Sequence, residues 1–300
     1  MYECKTLNSV STMSFHGFTF ATLQNLLYIA GNGSVTAVGA YEGDNPVGMA
    51  LALFLPDKGF CRLASLFVAP EHRKAGVATM LLRHMEAALS LQGFATLEAR
   101  FHSGRPTSEA ARRVLIKCHW PEPEADLLIC RCNRDMANAE WLRDYTIPAD
   151  CEIVSWFDVR PDEIVALKAS QLEDPWIPDS LRPWTVENPA FNSVAMRSPN
   201  GIVGWVLTQR FNSTTLVYSN SYMHPVRQRT ARILPLYVAA VRHHLTDPTL
   251  EHAVWVVPFK HPGMVSFVRR RIGTHMEKVE ELLISLKNLQ PFQTKEPICL

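Results

Sequence analysis

The sequence predicts an α/β (α+β) protein built as two successive halves, and three observations carry that expectation. Strand-like apolar runs alternate with stretches whose apolar residues recur at helical spacing. One strand ends at Phe67, Val68, Ala69 and Pro70 in a basic, small-residue turn that opens a helix. The same succession then returns further along the chain at an offset of ~155 residues. A chain of 300 residues has room for about two domains of ordinary size, each large enough to bury a core.

The elements follow in order. Residues 35–41 and 46–54 read as a hairpin around Glu42, Gly43, Asp44 and Asn45, and 60–68 is the next strand. The helix over 79–89 keeps apolar residues near i, i+3, i+4 and i+7, so its buried face is fixed. Downstream, 95–101 is a strand, 108–117 a helix and 125–132 the final strand of the first half. A polar stretch follows, and 151–157 opens the second half as a strand ahead of a helix over 161–172. There 46–51 recurs as 201–207, 60–70 as 214–225, the helix after Ala78 as 234–245, and 95–101 as 253–259. A constant offset argues for duplication. The expected domains are 1–133 and 151–300, joined by a linker over 134–150.

The turn Arg73, Lys74, Ala75, Gly76, Val77, Ala78 is built to hold phosphate. Unpaired backbone N–H groups at a helix N-terminus attract anions, small residues let an anion approach the main chain, and Arg73 and Lys74 add countercharge.

An arginine-x-x-glycine-x-alanine turn between a strand and a helix resembles the coenzyme A pyrophosphate loop of the GNAT acyltransferases, and the strand order around it agrees with that family. The resemblance implies two GNAT-like domains in tandem, each a mixed, mostly antiparallel central sheet flanked by helices. It also implies acetyl-CoA or a longer acyl-CoA as co-substrate, held by Phe67, Val68, Arg73, Lys74, Ala75, Gly76, Val77 and Ala78, with no metal. Acyl transfer from a thioester to an amine needs an amine deprotonated, a carbonyl polarised and a thiolate protonated. Many relatives supply the acid from a tyrosine on the helix after the split strand. Here that position falls on Leu115, and near Val268 in the second half, while the place of a catalytic glutamate falls near Arg62. The remaining candidates are Glu98, mid-strand at the central split, and His102 at that strand's end. A surface ion pair and an ordinary loop histidine are the competing readings of these two.

The copies differ at the loop. Aligning Pro70 with Pro225 places Gln228 at Arg73, Ala231 at Gly76 and Ile233 at Ala78. A branched side chain at the last position stands where a pyrophosphate should lie, so the second half reads as a degenerate donor site. Arg227, Arg229 and Arg232 there could still bind an anion, and a solvated basic helix start is the competing, blander reading. Tyr218 and Tyr222, evenly spaced on one strand, are expected on one face as core packing.

Seven scattered cysteines make no disulfide framework, and Cys118, Cys130 and Cys132 read as buried thiols. With no signal-peptide layout and no apolar run approaching ~20 residues, the expectation is a cytoplasmic protein. A net charge of +1 gives no pull toward nucleic acid or an anionic membrane. The acceptor is read from 173–184, where prolines pin a loop carrying acids, Trp176 and Trp184. Such a lining suits a cationic amine, and a packed connector explains it equally well. A narrower similarity of 202–210 and 264–270 to GNAT-type maturases of bacterial ribosomal-peptide clusters implies a peptide acceptor with a Lys- or Orn-type side chain. A free small amine such as a polyamine, amino acid or antibiotic, and a non-catalytic CoA-binding sensor or scaffold, stand beside it. Oligomeric state is not readable.

Overall fold

The computed structural model describes residues 1–143, 145–228 and 233–289. The first strands are β1 (Tyr2–Leu7), β2 (Val35–Glu42), β3 (Asn45–Leu55) and β4 (Phe60–Val68). Then come α1 (Val77–Leu91), β5 (Thr96–His102), α2 (Ser108–Lys117) and β6 (Glu124–Asn133). The chain continues through β7 (Glu152–Ser155), α3 (Pro161–Glu173), β8 (Val194–Ser198), β9 (Gly201–Arg210) and β10 (Thr215–Met223). It ends with α4 (Pro225–Gln228), α5 (Leu234–Thr246), β11 (His252–Pro258), α6 (Pro262–Phe267) and β12 (Lys278–Asn288).

The first compact unit comprises Met1–Asp126 together with the chain from Glu281 onward. Its strands run β1-β2-β3-β4-β5-β12, antiparallel except for the parallel pair β4 and β5. Helix α1 buries Leu81, Leu82, Met85 and Leu89 on one face of this sheet, at about 1.5–3 kcal/mol for each large apolar side chain. Gly48 permits that approach, since a Cβ there would lie 2.7 Å from the Phe67 carbonyl oxygen and 3.3 Å from Leu81. On the opposite face, the turns Ser11–Phe18 and Ala21–Ile29 bring Phe15 and Leu27 against Met49 and Leu51.

The second unit, Leu127–Glu280, has the order β6-β11-β10-β9-β8-β7, again with one parallel pair, β10 and β11. Helix α5 covers one face with Leu236, Tyr237 and Val241. Leu167 of α3 packs with the fully buried Trp205 on the other.

These units do not follow the expected division into 1–133 and 151–300. Strand β6 pairs with β11, from His252↔Asn133 to Pro258↔Leu127, while β12 pairs with β5, from Leu282↔His102 to Asn288↔Thr96. The strand that follows the first half in sequence therefore completes the second unit, and the strand at the end of the second half completes the first. Both strands offer an alternating pattern that an edge would accept, and the pattern does not say which edge. The stretch 134–150 also differs from a polar linker. Met136, Ala139, Trp141 and Leu142 are buried in the second unit's core, and Arg134 donates to the carbonyls of Leu245 (2.7 Å), Asp247 (2.9 Å) and Leu250 (3.0 Å) at the end of α5.

Tyr218 and Tyr222 lie on opposite faces. The β9–β10 register shifts between Tyr218 and Asn220, and this bulge reverses the alternation. Tyr218 stacks on Trp255 with centroids 4.2 Å apart, whereas Tyr222 joins Trp176 and Trp205. Cys118, Cys130 and Cys132 are buried as expected, and burial pushes the Cys130 and Cys132 thiols up to about 12.

Candidate functional site

The first unit's site grows from the way β4 ends. Pairing of β3 with β4 skips Ala64 between Ser65↔Leu51 and Leu63↔Ala52, so β4 bulges there. Parallel pairing of β4 with β5 runs only from Cys61↔Leu97 to Leu63↔Ala99. Beyond these residues the two strands part, so the β5-facing backbone groups of 65–67 are not paired with β5.

A turn at Pro70–His72 then leads to the loop, where Lys74 has φ +64° and Gly76 φ +86°. Left-handed residues alternating with right-handed ones turn successive amides toward a concave anion nest. No side chain caps α1 at Gly76, so the first N–H groups of the helix also face outward at its positive end. Arg73 folds back: its Nε donates to the Val68 carbonyl at 3.0 Å and its guanidinium lies 5.7 Å from the Phe67 ring centroid. The arginine thus fixes the loop's entry angle and keeps its charge beside it. Tyr2 Oη lies 3.1 Å from His72 Nδ1, a contact from β1 for which the linear sequence holds no signal.

Glu98 lies at the base of the split, 1% exposed and opposite Arg62 in the last paired stretch. It is ion-paired with Arg62, and Arg100 Nε is 3.1 Å from the same carboxylate oxygen. Neither a surface pair nor a lone base describes it: the carboxylate is buried between two guanidiniums. His102 stands two residues beyond Arg100, on the same face of β5 as Glu98, where that strand has left β4. Its carbonyl accepts from Ser108 Oγ at 2.6 Å. Leu115 and Val268 are buried at 3% and 0% exposure, so both positions that the resemblance reserves for a tyrosine are core positions here.

Residues 7–120 match the family model described as the acetyltransferase (GNAT) family. Over that segment the chain is similar to the GNAT acetyltransferases. It is similar to the mycothiol acetyltransferase of Kocuria rhizophila, at 29% identity over 135 residues, which is 45% of this chain and 40% of that protein. The match thus spans about two-fifths of the relative's length. Among solved structures, a tandem GNAT protein from the clavulanic acid biosynthesis pathway matches with a TM-score of 0.61 at 14% identity, over 97% of this chain and 99% of that one. A GNAT protein from Sphaerobacter thermophilus matches at 0.56 and 15% identity, over 97% and 96% of the two chains. The fold is a tandem GNAT fold.

The second unit repeats the frame. Strands β10 and β11 pair in parallel only over Thr215–Tyr218 and His252–Trp255, and Gln228 Nε2 donates to the Met223 carbonyl at 2.8 Å, as Arg73 does to Val68. The helix start does not repeat. Ile233, at the N-cap of α5, is right-handed with φ −74°, and Pro235 removes one of the N–H groups that an anion would use. The Ile233 side chain packs partly against the core. Ala231, Arg229 and Arg232 lie outside the described residues. Arg227 is held by Asp150, with Nη2 2.5 Å from Oδ2, rather than solvated. In the loop 173–184, Gln171 Oε1 accepts from the Trp176 and Ile177 amides, and the Trp176 ring lies 4.6 Å from that of His224. Among the described residues no helix is long and apolar enough to cross a membrane.

Proposed function

We propose that the protein is an N-acyltransferase whose first unit binds an acyl-CoA-type thioester, acetyl or longer, and passes the acyl group to a primary amine. The uncapped α1 N-terminus beside the β4/β5 split carries this reading. The diphosphate of the donor takes the nest at 73–78, with Phe67 and Val68 at its rim. The two amides of the pantetheine arm then add to the open edge of β4 as a short strand would. Such seating leaves the thioester in the split. The amine nitrogen attacks the carbonyl, the C–N bond forms, the C–S bond breaks, and the amine's proton departs as the thiolate gains one. His102 is the proposed proton acceptor. Glu98, held by Arg62 and Arg100, ties β4 to β5 at the base of the split. With a core leucine in the tyrosine position, rate is expected from positioning of donor and amine, with solvent protonating the thiolate.

The relative named as a mycothiol acetyltransferase favours a small-molecule acceptor over a peptide side chain. A direct test incubates the protein with acetyl-CoA or octanoyl-CoA and a panel of polyamines, amino acids and lysine- or ornithine-bearing peptides, and follows both thiol release and product mass. Amine-dependent thiol release with a matching mass gain is the expected result. Donor binding without any turnover would leave a CoA-binding sensor as the function.

A further inference from the structure

We infer that the second unit binds a small cationic amine with an apolar body in a cavity of about 1010 Å³. The cavity lies between α3, the turn joining β8 to β9, and the segment that follows β10. Its volume is at the upper end of the ~300–1,000 Å³ that small-molecule sites occupy, so it has room for a drug-sized body and not only an ion.

One wall is an aromatic plate held from several sides. Gln171 Oε1 accepts from the Trp176 amide at 3.1 Å and from the Ile177 amide at 2.8 Å. The Trp176 ring then stacks near Tyr222, with an interplanar angle of 18°, and contacts His224 and Trp205. Leu167, Ile202 and Val203 continue the apolar surface. An indole held in this way offers its face to a cation without losing rotamer freedom on binding.

The lining charge has a sign. Four carboxylates, Asp150, Glu152, Asp162 and Glu163, meet three guanidiniums, those of Arg160, Arg197 and Arg227. The two less exposed guanidiniums are already engaged: Arg197 holds Glu163 through bonds of 2.7 and 2.9 Å and Glu152 at 3.0 Å, and Arg227 holds Asp150. Arg160 Nε lies 3.4 Å from Asp162, both exposed at the mouth with Glu152, so every carboxylate has a guanidinium beside it and the lining as a whole carries one carboxylate in excess. An anion such as a nucleotide phosphate meets arginines already paired and a lining with net negative charge, whereas an ammonium group is drawn by that same excess of carboxylate. Cys151, in the cavity lining with Sγ 3.2 Å from Arg227 Nη1, gives a chemical reporter of occupancy.

The test is titration calorimetry on the full chain without any acyl donor, using tryptamine, its neutral N-acetyl derivative and indole-3-acetate. Tryptamine should bind once per chain, N-acetyltryptamine at least tenfold more weakly, and indole-3-acetate without measurable heat. Trp176→Ala should weaken tryptamine at least tenfold, and Glu152→Gln, which keeps shape and lies on the surface, at least threefold. Tryptamine should also slow alkylation of Cys151 by iodoacetamide in peptide mass spectra. Equal affinity for the amine and the acetate, affinity unchanged in Glu152→Gln, or no protection of Cys151 would overturn the inference. With no donor in the cell, these outcomes are independent of acyl-CoA binding by the first unit.

Discussion

At Gly76 the backbone φ is +86°, yet a Cβ built there meets no atom within 4 Å. The requirement for glycine is therefore conformational, because a left-handed residue with a Cβ costs about 1–2 kcal/mol. Gly76→Ala should lower the unfolding free energy by about 1 kcal/mol in chemical denaturation. Ala75 is exposed beside it and carries no such constraint. Ala75→Glu should leave stability unchanged and weaken acyl-CoA binding at least tenfold, about 1.4 kcal/mol, by setting a carboxylate against phosphate. Calorimetry together with denaturation separates the two effects. The loop was legible because its spacing, basic flanks and small residues are contiguous in sequence. The surroundings of Glu98 were not, since Arg62 comes from another strand and meets it only through the parallel register.

Helix α5 carries a buried group that responds to pH. His244 is 1% exposed, and desolvation, the largest influence on it, holds its imidazole below the usual value of 6.5. Unfolded, this histidine takes up a proton below about pH 6.5, while the folded chain resists doing so. Its contribution to stability is therefore complete above that pH and is lost as pH falls toward the folded value. Unfolding free energies measured from pH 8 to pH 5 should decline below about 6.5, and His244→Gln should flatten that decline. In the first unit, Lys287 Nζ lies 2.6 Å from Glu86 Oε2 and 2.5 Å from the Cys118 carbonyl, and Trp120 Nε1 donates to Glu86 at 2.6 Å. Breaking this partly buried tie with Glu86→Ala should cost about 1.5–3 kcal/mol of stability, the value of a hydrogen bond to a charged group. Element types came readily from periodicity: α2 and β4 occupy the residues that their patterns predict. The faces of β10 did not, because a bulge at Ser219 leaves no mark in the alternation of a strand so rich in Tyr, Asn and Ser.

For the whole molecule, the exchange of final strands is the decisive feature. A strand read as the end of the first half completes the second, and the chain's last strand completes the first. Duplication was visible in the sequence as a constant offset, but pairing partners were not, because either alternating strand satisfies an open edge. A chain ended at residue 277 keeps the loop and the split yet leaves β5 without β12. It should lose cooperative unfolding of the first unit and acyl-CoA binding together, as followed by circular dichroism and calorimetry. The proposed function requires a single donor site, at the α1 N-terminus of the first unit. Calorimetric titration of the intact chain with acetyl-CoA tests it most directly. One molecule bound per chain, weakened at least tenfold by Ala75→Glu and retained in Arg227→Gln, is the predicted result. Two molecules per chain, or binding that survives Ala75→Glu and disappears in Arg227→Gln, would contradict it.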